Sequence, residues 1–339
     1  MAKKLSHTLV GGRTVAGTGG QTLKMGEQGR LYWLDVDEES LIPPTWYGGR
    51  GVFMGGYISD SAPNRTTEIS YLAIASTGNS TDFGDIATAS SGMSGCSNGT
   101  RGVSAGGYVS GVVNVMEYIT IATTGNTTDF GDFTVARSNS GSLSNGPRGV
   151  WGGGSVNDTI DYVTINTTGN ATDFGNLLAA WDDQPAGVGN ATRGVFAGGG
   201  QTGVGKVDVI QYITIATTGN STDFGNLLIE SNGVAGCSDA TRGVFGGGNP
   251  TASGNINVIQ YITIATTGNS TDFGDLSSQR YLGGSTSNGT RGLWAGGITT
   301  GGSGTDDVID YVAIQTTGNA SDFGNLATGK REFTALSGD

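Results

Sequence analysis

"YITIATTGNSTDFG" occupies residues 212–225 and returns unchanged at 261–274. Looser copies are "YLAIASTGNSTDFG" from Tyr71, "YITIATTGNTTDFG" from Tyr118, "YVTINTTGNATDFG" from Tyr162 and "YVAIQTTGNASDFG" from Tyr311. The six copies recur every 44–50 residues or so, and a period of that size identifies an array of repeated supersecondary units. Each copy divides into strand and turn. "VIQYITIAT" is rich in Val, Ile, Tyr and Thr, which suit a pleated surface. Its apolar residues fall on both faces, so both faces must be covered. "TTGN" reads as a turn, since Gly and Asn tolerate positive φ. "STDFG" reads as a second short strand.

A second landmark precedes each copy: "RGVFMGG" at 50, "RGVSAGG" at 101, "RGVWGGG" at 148, "RGVFAGG" at 193, "RGVFGGG" at 242 and "RGLWAGG" at 291. It supplies a third strand. The stretch before it, such as "DLSSQRYLGGSTSNG", supplies a fourth that ends in an Asn-Gly turn. Four short antiparallel strands per unit of this length are the blades of a β-propeller. The chain finishes with "NLATGKREFTALSGD", the first strand of a unit without the rest, while the unit opening at Arg50 lacks its first strand. The last strand is therefore expected to complete the first blade. The expected fold is all-β: a six-bladed propeller over 48–339, closed by the C-terminal strand, behind an extended arm over 1–47.

These residues resemble kelch repeats. In the last full unit the doublet Gly296 and Gly297, then Tyr311, Phe323, Leu326 and Arg331, carry the likeness, with Phe323 where kelch units usually have tryptophan. The resemblance covers residues 48–339. The "TTGNxTDFG" phrasing is also similar to repeat proteins of tailed bacteriophages, notably those of marine cyanobacteria. That resemblance implies a virion structural or host-attachment protein, present in multiple copies.

The chain has 63 glycines among 339 residues and a net charge of −12. Such acidity argues against duplex nucleic acid or an anionic membrane surface as the main partner. Residues 1–30 instead carry Lys3, Lys4, Arg13, Lys24 and Arg30 against one acid, Glu27, before "DVDEE" at 35–39. A basic arm on an acidic body implies docking to an acidic surface, here other virion proteins; an ordinary solvated tail is the alternative. No run has a signal-peptide pattern or reaches membrane-spanning length. Cys96 and Cys237 hold equivalent places in different units and are expected to stay unbridged.

Six arginines (Arg50, Arg101, Arg148, Arg193, Arg242, Arg291) and six aspartates (Asp82, Asp129, Asp173, Asp223, Asp272, Asp322) hold fixed places. A framework role is expected, with guanidinium forks bonded to carboxylates or carbonyls. A charged ring that binds an ion is the competing reading. The TDFGD stretches lack the Asp-x-Asp-x-Asp-Gly calcium pattern, so neither metal nor cofactor is expected. His7 is the sole histidine and lies in the arm, which excludes a Ser-His-Asp triad from the propeller. Asp182-Asp183 and Asp306-Asp307 are adjacent acids, suited in principle to glycoside hydrolysis, but no enzyme is expected. Length variation concentrates between the second and third strands of each unit. Loops on a rigid scaffold carry binding, so Asn64, Arg65, Gln201, Lys206, Asn249, Asp306 and Asp307 are the candidate binding residues, with neutral drift as the alternative. The partner would be a host-surface protein or glycan. A glycan-binding, lectin-like propeller, viral or cellular, is the alternative function.

Overall fold

The computed structural model describes residues 47–252, 254–299 and 304–339, and the backbone of four strands before them. Residues 1–45 and 46–339 form two separate compact units. Leu5–Leu9 pairs with Arg13–Gly17, and Gln21–Met25 with Leu31–Asp35, as two antiparallel hairpins.

The second unit is a six-bladed β-propeller without helices among the described residues. Blade 1 has Thr334–Gly338 innermost, then Arg50–Met54, Glu68–Ala73 and Thr81–Asp85 at the rim. Blade 2 runs Ser94–Ser97, Arg101–Ala105, Val115–Thr120 and Thr128–Asp132. Blades 3 to 6 begin at Gly141–Ser144, Ala186–Gly189, Ala235–Ser238 and Gly284–Ser287 and repeat the order. The ring closes as the sequence requires: Thr334 lies opposite Met54, and Gly338 opposite Arg50.

Six apolar layers fill the gaps between successive sheets. Alternation along a strand feeds two layers at once. Val52 and Met54 enter the layer shared with Ile119 and Ile121 of blade 2, while Phe53 enters the layer shared with Leu293 and Phe323 of blade 6. Cys96 and Cys237 are buried in two such layers and unbridged; burial pushes both thiols up. At the axis the inner strands approach so closely that serine and glycine dominate. Ser144 Oγ donates to Ser97 O at 2.6 Å, and Ser287 Oγ to Ser238 O at 2.6 Å.

The repeated phrase joins one blade to the next. In the second copy Gly125 N donates to Phe83 O of blade 1 (2.8 Å), Thr127 N to Asp85 O (2.9 Å), and Asp85 N to Asn126 Oδ1 (3.0 Å). The same set recurs around the ring and closes it through Gly78 N to Phe323 O (2.8 Å) and Asn325 N to Asn79 Oδ1 (3.0 Å). Each TGN segment thus straps the outer edge of the preceding blade, which would otherwise expose unpaired backbone. The asparagine acts across this joint, not in a left-handed turn. The glycine of each DFG is needed for closeness. Gly131 has φ of 143°, and a β-carbon there would lie 2.5 Å from the backbone of Gly169.

The recurring arginines make a second joint. Arg50, Arg101, Arg148, Arg193 and Arg242 donate through Nη1 to the carbonyls of Ile121, Ile165, Ile215, Ile264 and Ile314 in the next blade, at 2.7–3.1 Å. Arg291 reaches Ala75 O at 2.9 Å and completes the circle. Each guanidinium also lies over its own blade's tyrosine, as Arg193 does over Tyr212 at 4.3 Å, and that tyrosine meets the DFG phenylalanine edge-on, as Tyr212 meets Phe224 at 6.0 Å. The recurring aspartates are not the arginines' partners. Asp82, Asp129, Asp173, Asp223, Asp272 and Asp322 are exposed on the outer strands, in no ion pair among the described residues. A charge on each rim strand disfavours pairing with another chain's edge.

Candidate binding face

The loops between second and third strands share one face of the disk with the crossovers that carry the chain from each outer strand to the next inner strand. Each crossover is tied down alike. The second glycine of the doublet donates its N–H to one crossover carbonyl: Gly56 to Ser90, Gly107 to Arg137, Gly154 to Trp181, Gly199 to Ser231, Gly248 to Arg280 and Gly297 to Lys330, all at 2.8–3.0 Å. These six positions are therefore equivalent, and they differ in kind.

Three carry a cation clasped to an acid on the third strand of the blade that the crossover enters. Arg137 bonds Asp161, with both side chains fully buried. Arg280 Nη2 lies 3.1 Å from Asp310, and Lys330 Nζ 3.2 Å from Glu68. Burial lowers the pKa of Arg137 and of Lys330, and in each case the facing carboxylate opposes the shift. Blades 4 and 5 use neutral groups instead: Gln211 Oε1 accepts from Leu178 N (2.8 Å), and Gln260 Oε1 from Leu228 N (2.7 Å).

Immediately after the clasp position the chain reaches the mouth of the axis, and here the blades diverge most. Arg331, Ser91, Asn232 and Tyr281 each bridge, backbone to backbone, to the start of a variable loop at Tyr57, Tyr108, Asn249 and Ile298. Arg331 stacks on Tyr57 at 4.1 Å and pairs with Asp60 at 3.3 Å. Arg65 lies 4.8 Å from the Tyr108 ring and donates to Ser91 Oγ at 3.1 Å. Glu332 and Asp183 also lie here. Burial raises both carboxyls; Asp183 adds to the rise of Glu332 and Asp182 to that of Asp183, while Arg331 and Arg65 pull Glu332 down and Asn232 and Lys206 pull Asp183 down. Glu332 and Leu282 hold left-handed backbones, with φ of 53° and 59°. Such strain in ordinary residues clusters at binding sites.

The sequence-predicted residues fall into three groups on this face. Asn64 Oδ1 accepts from Arg65 at 3.1 Å, within the tyrosine cluster. Lys206 bonds Asn249 of the neighbouring loop and Pro250 O at 3.3 Å, while Gln201 lies in the short strand Gly200–Gln201, which extends the blade 3 sheet past Trp181. Asp306 sits 3.9 Å from Arg280 and accepts from Asp307 N at 2.9 Å; Asp307 points to solvent. The adjacent acids do not act as pairs: Asp182 is exposed, whereas Asp183 is drawn inward to Asn232. Among the described residues no group of three or more His, Cys, Asp or Glu is placed to hold a metal. Tyr108, Tyr281 and Glu332 escaped the sequence reading, and Arg331 entered it only through the kelch likeness. The available signal was the position after the clasp, where six otherwise similar units disagree. No protein-family model matches the chain, and no curated protein matches it.

Proposed function

We propose that the protein is a non-enzymatic attachment module of a tailed-phage particle, with the propeller's loop face as its recognition surface. The observation that supports this most is the contrast within each blade. The joints between blades repeat nearly unchanged, while the residues around the mouth on the loop face differ from blade to blade. A rigid ring with a diversified face is the arrangement expected of a binding scaffold. The "TTGNxTDFG" resemblance supplies the phage setting, and residues 1–47 are assigned to docking on other virion proteins.

A glycan is the favoured ligand class on the host surface. Tyr57 and Tyr108 gather with Arg65 and Asn64, and Tyr281 with Arg331 and Glu332, which combines rings for stacking with donors and acceptors for hydroxyls. A cellular lectin would use the same chemistry in another setting. The test is saturable binding of labelled full-length protein to intact cyanobacterial cells, repeated after periodate oxidation of their surface glycans. The expected result is binding lost on oxidation and in the Tyr57→Ala/Arg331→Ala variant. Binding to particles from which the protein has been stripped, with no binding to any cell type, would instead make it a decoration protein.

A further inference from the structure

Blade 2 breaks the clasp pattern. Glu117 stands where blades 3 and 6 carry Asp161 and Asp310: each lies opposite the recurring aspartate of its outer strand. The equivalent of Arg137, Arg280 and Lys330 is Ser90, which brings no charge. Among the described residues no cation pairs with Glu117. Its carboxylate accepts from Ala87 N at 3.3 Å and bonds Thr127, and its charged neighbour is Asp129, which repels it.

A second truncation lies beside the first. The residue cross-strand from Glu117 is Ser104, whereas the other five blades place Phe53, Trp151, Phe196, Phe245 or Trp294 there. Ser90 stands where four of the six equivalent positions carry Arg, Lys or Trp, and with Ser104 it leaves a cavity of about 300 Å³, lined by Ser90, Ser104, Met93, Val113, Val115 and Glu117 among others. The loop at its mouth, "YVSGVVNV" at 108–115, is apolar and outward-facing: Tyr108, Val112 and Val115 are 41–43% exposed. The cavity thus sets mainly apolar walls beside a half-buried carboxylate without a counter-ion.

We propose that this cavity binds a cationic group on an aliphatic stem, an alkylammonium of the lysine side-chain type, with Glu117 as its counter-ion. The ligand would complete in trans the clasp that Lys330 completes within the chain in blade 1. The cavity walls desolvate the stem, and a charge-assisted bond to the carboxylate fixes the head. The stem can belong to a partner protein or to a free amine, and the site shares only the rim residue Tyr108 with the glycan reading of the axial mouth.

Full-length protein is titrated calorimetrically with n-butylammonium chloride, with n-butanol as the neutral control. A parallel titration uses the capped peptide Gly-Gly-Lys-Gly-Gly against its Nε-acetylated form. At least one cationic probe should bind saturably, and its neutral counterpart should bind at least about tenfold more weakly. Glu117→Gln and Ser90→Lys should each reduce that binding by about tenfold or more, with melting temperatures at or above the parent's. Ser104→Phe, which fills the cavity without touching the charge, should also abolish it. Binding of the peptide alone assigns the site to a partner's side chain, and of butylammonium alone to a small amine; either upholds the proposal. No binding of either cation, equal binding of the neutral controls, or binding unchanged in Glu117→Gln would overturn it. Cell attachment is scored separately, so its failure leaves this outcome intact.

Discussion

The rim joints and the loop face are built from the same six units, yet they treat sequence in opposite ways. At the joints a residue is fixed by what lies in the next blade. Gly225 must be glycine because its β-carbon would lie 2.5 Å from the Gly268 backbone, and Arg193 must reach Ile264 O while covering Tyr212. On the loop face the equivalent positions Ser91, Asn232, Tyr281 and Arg331 share only their backbone bridges. Where the backbone makes the contact the side chain is free to change, and where the side chain makes the contact it is not. Recognition can diversify on one face without loosening the ring.

The sharpest way to break this comparison is a pair of glycine substitutions. Gly225→Ala, at φ of 149°, should cost about 3 kcal/mol or more in urea or thermal unfolding, through overpacking plus backbone strain. Gly111→Ala, where an added methyl group would meet nothing within 4 Å, should stay within about 0.5 kcal/mol of the parent. Equal losses at both sites would mean that the joints are no more constrained than the loops.

Next in size is the arginine joint. Arg193→Ala should destabilise by roughly 2–3 kcal/mol, because it removes a charge-assisted bond and a cation–ring stack together. Arg193→Lys should recover part of this, because the charge survives while the planar stack does not. Chemical denaturation of both variants measures the split.

Glu117→Gln should act in the other direction. Burial raises this carboxyl's pKa in the fold, so the folded state disfavours its ionised form. That penalty is absent below the ordinary glutamate range and grows as pH rises from there through the raised folded value. The variant should therefore melt above the parent at pH 7, and the gap should close near pH 4, by calorimetry across that range. A variant less stable than the parent at pH 7 would show that Glu117 is already compensated. A small stability loss is expected for Arg65→Ala, about 0.5–1 kcal/mol from its stacking on the Tyr108 ring, alongside a loss of cell binding that is large by comparison.

Much of the ring was legible in the sequence. The period, the two landmarks and the chain ends pointed to six four-stranded blades and to the closing strand at Thr334–Gly338. The candidate face was legible only in part. Loop length pointed to Arg65, Lys206, Asn249 and Asp306, which do lie there, but length says nothing about the constant-length crossovers that supply Arg331, Glu332 and Tyr281. The recurring charges were legible in part: of the two partners expected for the arginines, carboxylates or carbonyls, they bond carbonyls of the next blade, and the aspartates face solvent. The pairing of Leu5–Leu9 with Arg13–Gly17 and of Gln21–Met25 with Leu31–Asp35 was not read from the sequence.

What the sequence determined by itself is the unit and its count, because strand alternation and turn chemistry are local and six repetitions make them unmistakable. What only the tertiary structure decided is which repeated residue serves which joint. Arg50 and Ile121 are 71 residues apart and belong to different units, so no local pattern couples them. The missing clasp of blade 2 is of the same kind. Ser90, Ser104 and Glu117 are ordinary residues in the sequence, and they become a cavity with an unpaired carboxylate only when the blade folds and its neighbours fill the same positions with larger groups.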